Sequence, residues 1–140
     1  MKSRRLQNIV IIRLDQGEEV ISTLQKVLTS EGVQSGVICS FVGALRDCRL
    51  ILRKGLEKTV QNHVEAVGSG NISQYEGQTF IHLHLSVGND LGTWVGHLNE
   101  GIVDIFCEAA VIPVEPKMVR NYDKTLADGG VTVPYVLDFK

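Results

Sequence analysis

Apolar residues recur along this chain at two spacings, one typical of a helix face and one typical of strands. Residues 18–32 show the helical spacing. Acidic residues open this segment, and Gly32 is placed to end it. The sequence therefore predicts a helix here, with one apolar face formed by Val20, Leu24, Val27 and Leu28.

Segments rich in β-branched or alternating apolar residues predict the strands. They are residues 8–14, 35–45, 48–54, 63–73, 79–87, 93–98, 102–114 and 133–139. Gly43 suggests a tight turn at the end of its segment, and the polar residues 54–62 predict a connecting loop. Residues 115–130 predict a short helix or loop, because Pro113 and Pro116 interrupt any continuous strand. The pattern as a whole indicates one α+β domain over residues 1–140.

Composition agrees with one domain and disfavours nucleic acid as a partner. The 140 residues are 44% hydrophobic and 21% charged, which suffices for one sizeable core. The net charge is −2 and the pI is about 6.1, so the chain has no basic footprint for a phosphate backbone. Only residues 2–5 are locally cationic, and we interpret them as a solvated terminus.

The chain shows no signal for a membrane or for secretion. It has no apolar run of about 18 residues, and its first residues lack the apolar stretch and cleavage site of a signal peptide. The three cysteines are odd in number and form no C-x-x-C motif. We therefore expect a cytoplasmic protein in which Cys39, Cys48 and Cys107 are buried small hydrophobic residues.

Three of the four histidines lie in residues 80–98, which read FIHLHLSVGNDLGTWVGHL. On a strand, side chains alternate between two faces, so His82 and His84 share one face. The parity of the GNDLG turn decides where His97 points. An even loop places it opposite His84 or His82, and an odd loop places it on the other face. The apolar pattern favours the even loop, because that loop sets Trp94, Gly96 and Leu98 beside Leu83, Leu85 and Val87.

The resulting cluster of His82, His84 and His97 is typical of an open metal site, with three protein ligands and one position for water or substrate. Zinc is the first candidate for this site, and another divalent metal is the alternative. A metal-dependent enzyme would also need a base, for which Glu108 and Glu76 are candidates. Two interpretations without a metal stay open: a polar strand face, and three such faces meeting around an oligomer axis.

The order of motifs along residues 8–114 adds a family resemblance. The motifs are RLDQGEEV, GVICSFVGALRDCRL, GSGNIS, IHLHLSVGNDLG and GHLNEGIVDIFCEAAV. In this order they resemble the plants-and-prokaryotes conserved (PPC) domain. The resemblance implies an α+β fold, built on a mixed, largely antiparallel β-sheet with a packed helix, that assembles as a homotrimer. The HLH and GH elements of the family fall on His82, His84, Gly96 and His97, which implies that this cluster can carry a metal.

The resemblance also bears on function. Plant members join the domain to an AT-hook of Arg-Gly-Arg-Pro type, and this sequence has no Arg-Gly-Arg run, so it resembles the single-domain prokaryotic type. Arg13, Glu18 and Glu108 also fall on family-like positions, as accessory ligands or a base. Each also has a structural alternative: Glu18 would stabilise the helix start, Arg13 would pair with Glu18 across the turn, and Glu108 would be a rim or interface acid.

The sequence therefore predicts a homotrimeric module that binds a metal or a small ligand, with a regulatory function. A metal-dependent enzyme using the three histidines is one alternative to this module. A DNA-binding protein of the AT-hook-associated type is the other, and the acidic pI and the missing hook disfavour it.

Overall fold

Nine strands and two helices make up the computed structural model, which describes residues 1–140. The helices are α1 (Val20–Ser30) and α2 (Lys124–Asp128). The strands are β1 (Lys2–Leu6), β2 (Ile9–Asp15), β3 (Gly36–Arg53), β4 (Leu56–Val60), β5 (Val64–Tyr75), β6 (Gln78–Asn89), β7 (Gly92–Pro113), β8 (Met118–Tyr122) and β9 (Tyr135–Phe139). Neither helix has the length and hydrophobicity needed to cross a membrane.

All strands belong to one sheet of order β1-β2-β7-β3-β5-β8-β9, with β4 paired to β3. Strand β6 pairs with both β5 and β7, so β3, β5, β6 and β7 close into a ring. Every pairing is antiparallel except that of β5 with β8, which meet in parallel at Gln74 and Val119. This confirms the predicted mixed, largely antiparallel sheet.

Helix α1 forms where the apolar pattern predicts it. The Glu19 side chain accepts hydrogen bonds from the backbone N–H groups of Ile21 and Ser22 and so caps the first turn. Gly32 follows the last turn with a φ of +69°, a conformation that glycine adopts without strain. The helix packs its predicted apolar face into a core of 26 buried residues.

Three segments that we expected to be loop or terminus are strands. Strand β1 pairs with β2, β4 forms a hairpin with β3, and β8 pairs with β9 ahead of the short helix α2. The side chains of β1 and β4 are mostly exposed. Backbone hydrogen bonds to a neighbouring strand hold these two strands, so their residues need not alternate between apolar and polar. Such edge strands leave little trace in the hydrophobic pattern.

Two smaller expectations are wrong. Strand β3 continues through Gly43 with a shift in register against β7, so a bulge stands where we expected a turn. Cys39 is exposed, whereas Cys48 and Cys107 are buried as predicted. Burial raises the pKa of the Cys48 thiol to about 11 and that of Cys107 to about 12, so these two remain unreactive thiols.

Candidate metal centre

The histidine hairpin is formed by β6 and β7, which are joined by the two residues between Asn89 and Gly92. The loop is therefore even, as predicted. His84 lies directly opposite His97, and Leu85 opposite Gly96. The other face of β6 is buried in the core, so the histidine face of the hairpin points away from it.

Close backbone approach positions both strands of the hairpin. In β5, Gly70 lies opposite Leu83, and a Cβ atom at Gly70 would overlap the carbonyl oxygen of His82. In β7, a Cβ atom at Gly96 would lie 3.0 Å from the carbonyl carbon of Ile51 in β3. Glycine at these positions lets the strands that carry the histidines pack against their neighbours.

The three imidazole rings form a compact triangle. Ring centroids are separated by 4.9 Å for His82 and His84, 5.2 Å for His82 and His97, and 5.6 Å for His84 and His97. One nitrogen of each ring lies within 4.8 Å of one nitrogen of each of the others. Nitrogen ligands of a tetrahedral zinc ion stand about 3.3 Å apart, so small side-chain movements would bring the three rings to that spacing.

The surroundings keep two of these imidazoles neutral. Desolvation is the main cause that lowers the pKa of His82 to about 4, and the nearby Arg120 and the other two histidines lower it further. Desolvation, followed by the proximity of His84 and Arg120, likewise lowers the pKa of His97 to about 4. Because a metal binds the neutral ring, both residues are in the ligating form at neutral pH.

Arg120, from β8, is the site residue that the sequence analysis missed. It is 8% exposed, and its Nη2 lies 3.2 Å from Nδ1 of His82. It donates hydrogen bonds to Ser73, to Asn71 and to the backbone carbonyl of Tyr135. The available signal was a basic residue directly after the apolar pair Met118 and Val119, in a segment that we expected to be helix or loop.

The cluster opens into a cavity of about 280 Å³. Apolar and aromatic side chains supply much of its wall, among them Ile51, Phe80, Val133 and Tyr135. Its charged lining residues are Arg53, Lys54 and Arg120, and no aspartate or glutamate lines it. The lining of the cavity therefore carries net positive charge even without a metal.

Comparison with known proteins assigns the chain to a family. Residues 1–115 of the 140 match the family model of the Plants and Prokaryotes Conserved (PCC) domain, the PPC domain named above. The chain belongs to the PPC family. The match ends before Arg120 and Tyr135, so the C-terminal segment that completes the cavity lies outside the family model.

Solved structures of similar proteins share the PPC fold. A protein of Bacteroides thetaiotaomicron, provisionally named DNA-binding, is 26% identical with a TM-score of 0.85, over 99% of this chain and 96% of that one. A metal-containing protein of Archaeoglobus fulgidus is 25% identical with a TM-score of 0.76, over 86% and 89%. A PPC protein of Pyrococcus horikoshii is 25% identical with a TM-score of 0.74, over 88% of each chain. No curated protein sequence matches the chain.

The other residues at PPC-like positions do not line the cavity. Arg13 of β2 lies opposite Glu108 of β7, and Arg13 pairs with Asp15 instead of Glu18. Glu18 accepts a hydrogen bond from the backbone N–H of Asp15, just before α1. Glu76 lies in the turn between β5 and β6. The structure therefore brings neither candidate base, Glu108 or Glu76, to the histidines.

The fourth histidine, His63, lies outside the cluster. Its Nδ1 is 2.6 Å from a carboxylate oxygen of Asp104, and its Nε2 is 3.0 Å from Glu65. The hydrogen bond that His63 donates to Asp104, followed by the one to Glu65, raises the pKa of His63 above its ordinary value. His63 is thus an exposed histidine whose charged form is favoured, and its titration serves as a reference for the three clustered histidines.

An NMR titration of the metal-free protein should separate these environments. We expect the imidazole of His63 to titrate above pH 6.5, and those of His82 and His97 near pH 4. Pairing of His63 then stabilises the fold below about pH 6.5, and this contribution is lost as the pH rises through its raised pKa. For His82 and His97 the sign is opposite, because stability is lost as the pH falls from about 6.5 to 4.

The substitution Asp104→Asn provides the control for this titration. It should move the His63 midpoint towards 6.5 and leave the midpoints of His82 and His97 unchanged. A titration of His82 and His97 near 6.5 in the wild-type protein would contradict the burial that the structure assigns to them.

Proposed function

We propose that this PPC-domain protein is a cytoplasmic, homotrimeric binding module that holds a divalent metal at His82, His84 and His97, with zinc as the first candidate. The observation that carries the proposal is the convergence of three imidazole nitrogens within 4.8 Å of one another. Bound there, the metal would supply a Lewis-acidic position at which a small ligand binds. Metal or ligand occupancy would then be the signal of a regulatory module.

The residues present fit such a metal. Imidazole is a preferred ligand of zinc, and three of them with one free position form a common open site. In the metal-free protein Nδ1 of His82 contacts Arg120, and His97 is held in β7 between β3 and β6. The metal-containing neighbour from Archaeoglobus fulgidus supports the assignment, since it shares 25% identity over most of the chain.

We prefer the binding module to the two alternatives on physical grounds. A hydrolytic metal enzyme needs a base near the metal, and no carboxylate lines the cavity. A DNA-binding protein needs positive charge to meet phosphates, and this chain carries a net charge of −2. The name of the Bacteroides neighbour therefore does not extend to this chain in our proposal.

Metal content tests the proposal directly. Protein purified without a His tag, incubated with zinc and dialysed, should retain about one zinc ion per chain by mass spectrometry of metals. Replacing His82, His84 and His97 together with alanine should lower zinc affinity by about 100-fold or more, because even second-shell losses cost about 10–100-fold. The matched control is His63→Ala, which should retain wild-type stoichiometry. Failure of the wild-type protein to retain zinc would reject the metal site.

An apolar row on the exposed side of the sheet supports self-association, which we propose takes the form of a homotrimer. Val42 lies beside Val67, Val67 beside Ser86, and Ser86 beside Val95, in a row across four strands. The three valines are 40%, 56% and 60% exposed, and such an apolar row is typical of a surface covered by a partner. We expect a solution mass of three times 15.4 kDa, about 46 kDa, by light scattering. A mass near that of a single chain would reject the trimer.

A further inference from the structure

The guanidinium of Arg120 is a buried charge without a counterion. Its hydrogen-bond partners, Ser73, Asn71, the Tyr135 carbonyl and His82, are all neutral groups, and the side chain makes no salt bridge. Buried charges in proteins are usually paired, since removing an unpaired ion from water is unfavourable. The guanidinium also lies over the ring of Phe80 in a cation–π contact, with Cζ 5.4 Å from the ring centroid, so its place in the cavity wall is well defined.

Metal binding would release one N–H group of this guanidinium. Nδ1 of His82 faces Nη2 of Arg120 at 3.2 Å and therefore acts as the acceptor. If the metal binds Nδ1, that lone pair is no longer available to Arg120. If the metal binds Nε2, the proton of the neutral ring must sit on Nδ1, and two donors then face each other. In both cases this N–H group of Arg120 loses its acceptor.

The rest of the cavity indicates which kind of group would replace this acceptor. Arg53 and Lys54 add two positive charges to its lining, and no carboxylate offsets them. A divalent metal on three neutral imidazoles would raise the positive charge further. The walls beyond the charged groups are apolar and aromatic, and the volume of about 280 Å³ suits a compact organic molecule.

We propose that the cavity binds a small organic carboxylate with a short apolar body, whose oxygens contact both Arg120 and the metal held by the three histidines. This inference rests on the proposed metal site. A carboxylate matches a guanidinium in shape and charge, and it would compensate the two adjacent positive groups at once. The apolar body would lie against Phe80 and Val133. Metal and carboxylate should therefore bind with positive coupling.

Benzoate is a suitable probe, with benzyl alcohol and benzylamine as its neutral and cationic counterparts of similar size. We expect saturating benzoate to tighten the zinc affinity of the wild-type protein about tenfold, as measured by competition with a chromophoric chelator. Benzyl alcohol and benzylamine should leave the affinity unchanged. With Co²⁺ in place of zinc, benzoate should also shift the visible absorption bands of the bound ion.

Variants locate the effect. Arg120→Gln should bind zinc but lose the benzoate effect, Arg120→Lys should keep part of it, and His63→Ala should retain it fully. Circular dichroism checks that the Arg120 variants are folded. The comparison of benzoate, benzyl alcohol and benzylamine on the wild-type protein does not depend on these variants. If zinc fails to bind at all, the proposed metal site is rejected. If zinc binds but benzoate acts no differently from benzyl alcohol, only the carboxylate inference is overturned. If inorganic phosphate tightened the zinc affinity more than benzoate does, the inference that the ligand has an apolar body would be overturned.

Discussion

Zinc at about a thousand times its Kd should raise the free energy of unfolding of this protein by about 4 kcal/mol. The reason is that His82 and His84 of β6 meet His97 only when β6 pairs with β7, so the unfolded chain has no assembled site. For a chain of this size the change corresponds to an increase in Tm of about 14 °C. Thermal unfolding in EDTA and in excess zinc measures it.

The substitution His84→Ala is the informative variant for this experiment. His84 is the exposed member of the cluster, so its truncation should cost little stability in EDTA, within about 0.5 kcal/mol. With only two ligands left, we expect most of the zinc-dependent increase in stability to disappear. The variant His63→Ala should keep that increase. An equal effect of zinc on the His84→Ala and wild-type proteins would place the stabilising ion elsewhere in the molecule.

The histidine hairpin could be predicted because its determinants are local. Strand alternation assigns His82 and His84 to one face, and the apolar residues on the other face select the even loop. These two rules place His97 opposite His84 or His82, and the observed partner is His84. The same reasoning gave helix α1, where periodicity, acidic opening residues and a terminal glycine all lie within one short segment.

Arg120 could not be predicted in this way, because nothing in its own segment places it near the histidines. Strand β8 joins the sheet through one parallel pair with β5, between Gln74 and Val119, which lie far apart in the sequence. Arg13 and Glu108 show the opposite case. The sequence indicated both as candidate site residues. The register of β2 against β7 places them opposite each other, but neither lines the cavity.

The substitution Gly70→Ala should damage both the fold and the proposed metal site. An added Cβ would overlap the carbonyl oxygen of His82 and would lie 2.8 Å from its carbonyl carbon and 2.9 Å from Cα of Leu83. All of these atoms belong to the backbone of β6, so relief requires the strand itself to shift at His82. We expect the free energy of unfolding to fall by about 3 kcal/mol, at the upper end of overpacking costs.

Zinc affinity should fall with stability in this variant, by about tenfold or more, because the shift displaces a ligand. Urea unfolding and zinc competition measure the two effects. The matched control is Gly101→Ala in β7, where an added Cβ would meet methyl groups of Leu45 and Leu98 at 3.4 Å, an ordinary contact distance. We expect this control to stay within about 1 kcal/mol of wild-type stability with unchanged zinc affinity. Wild-type zinc affinity in a destabilised Gly70→Ala protein would show that the ligand position of His82 does not depend on the close packing of β5 against β6.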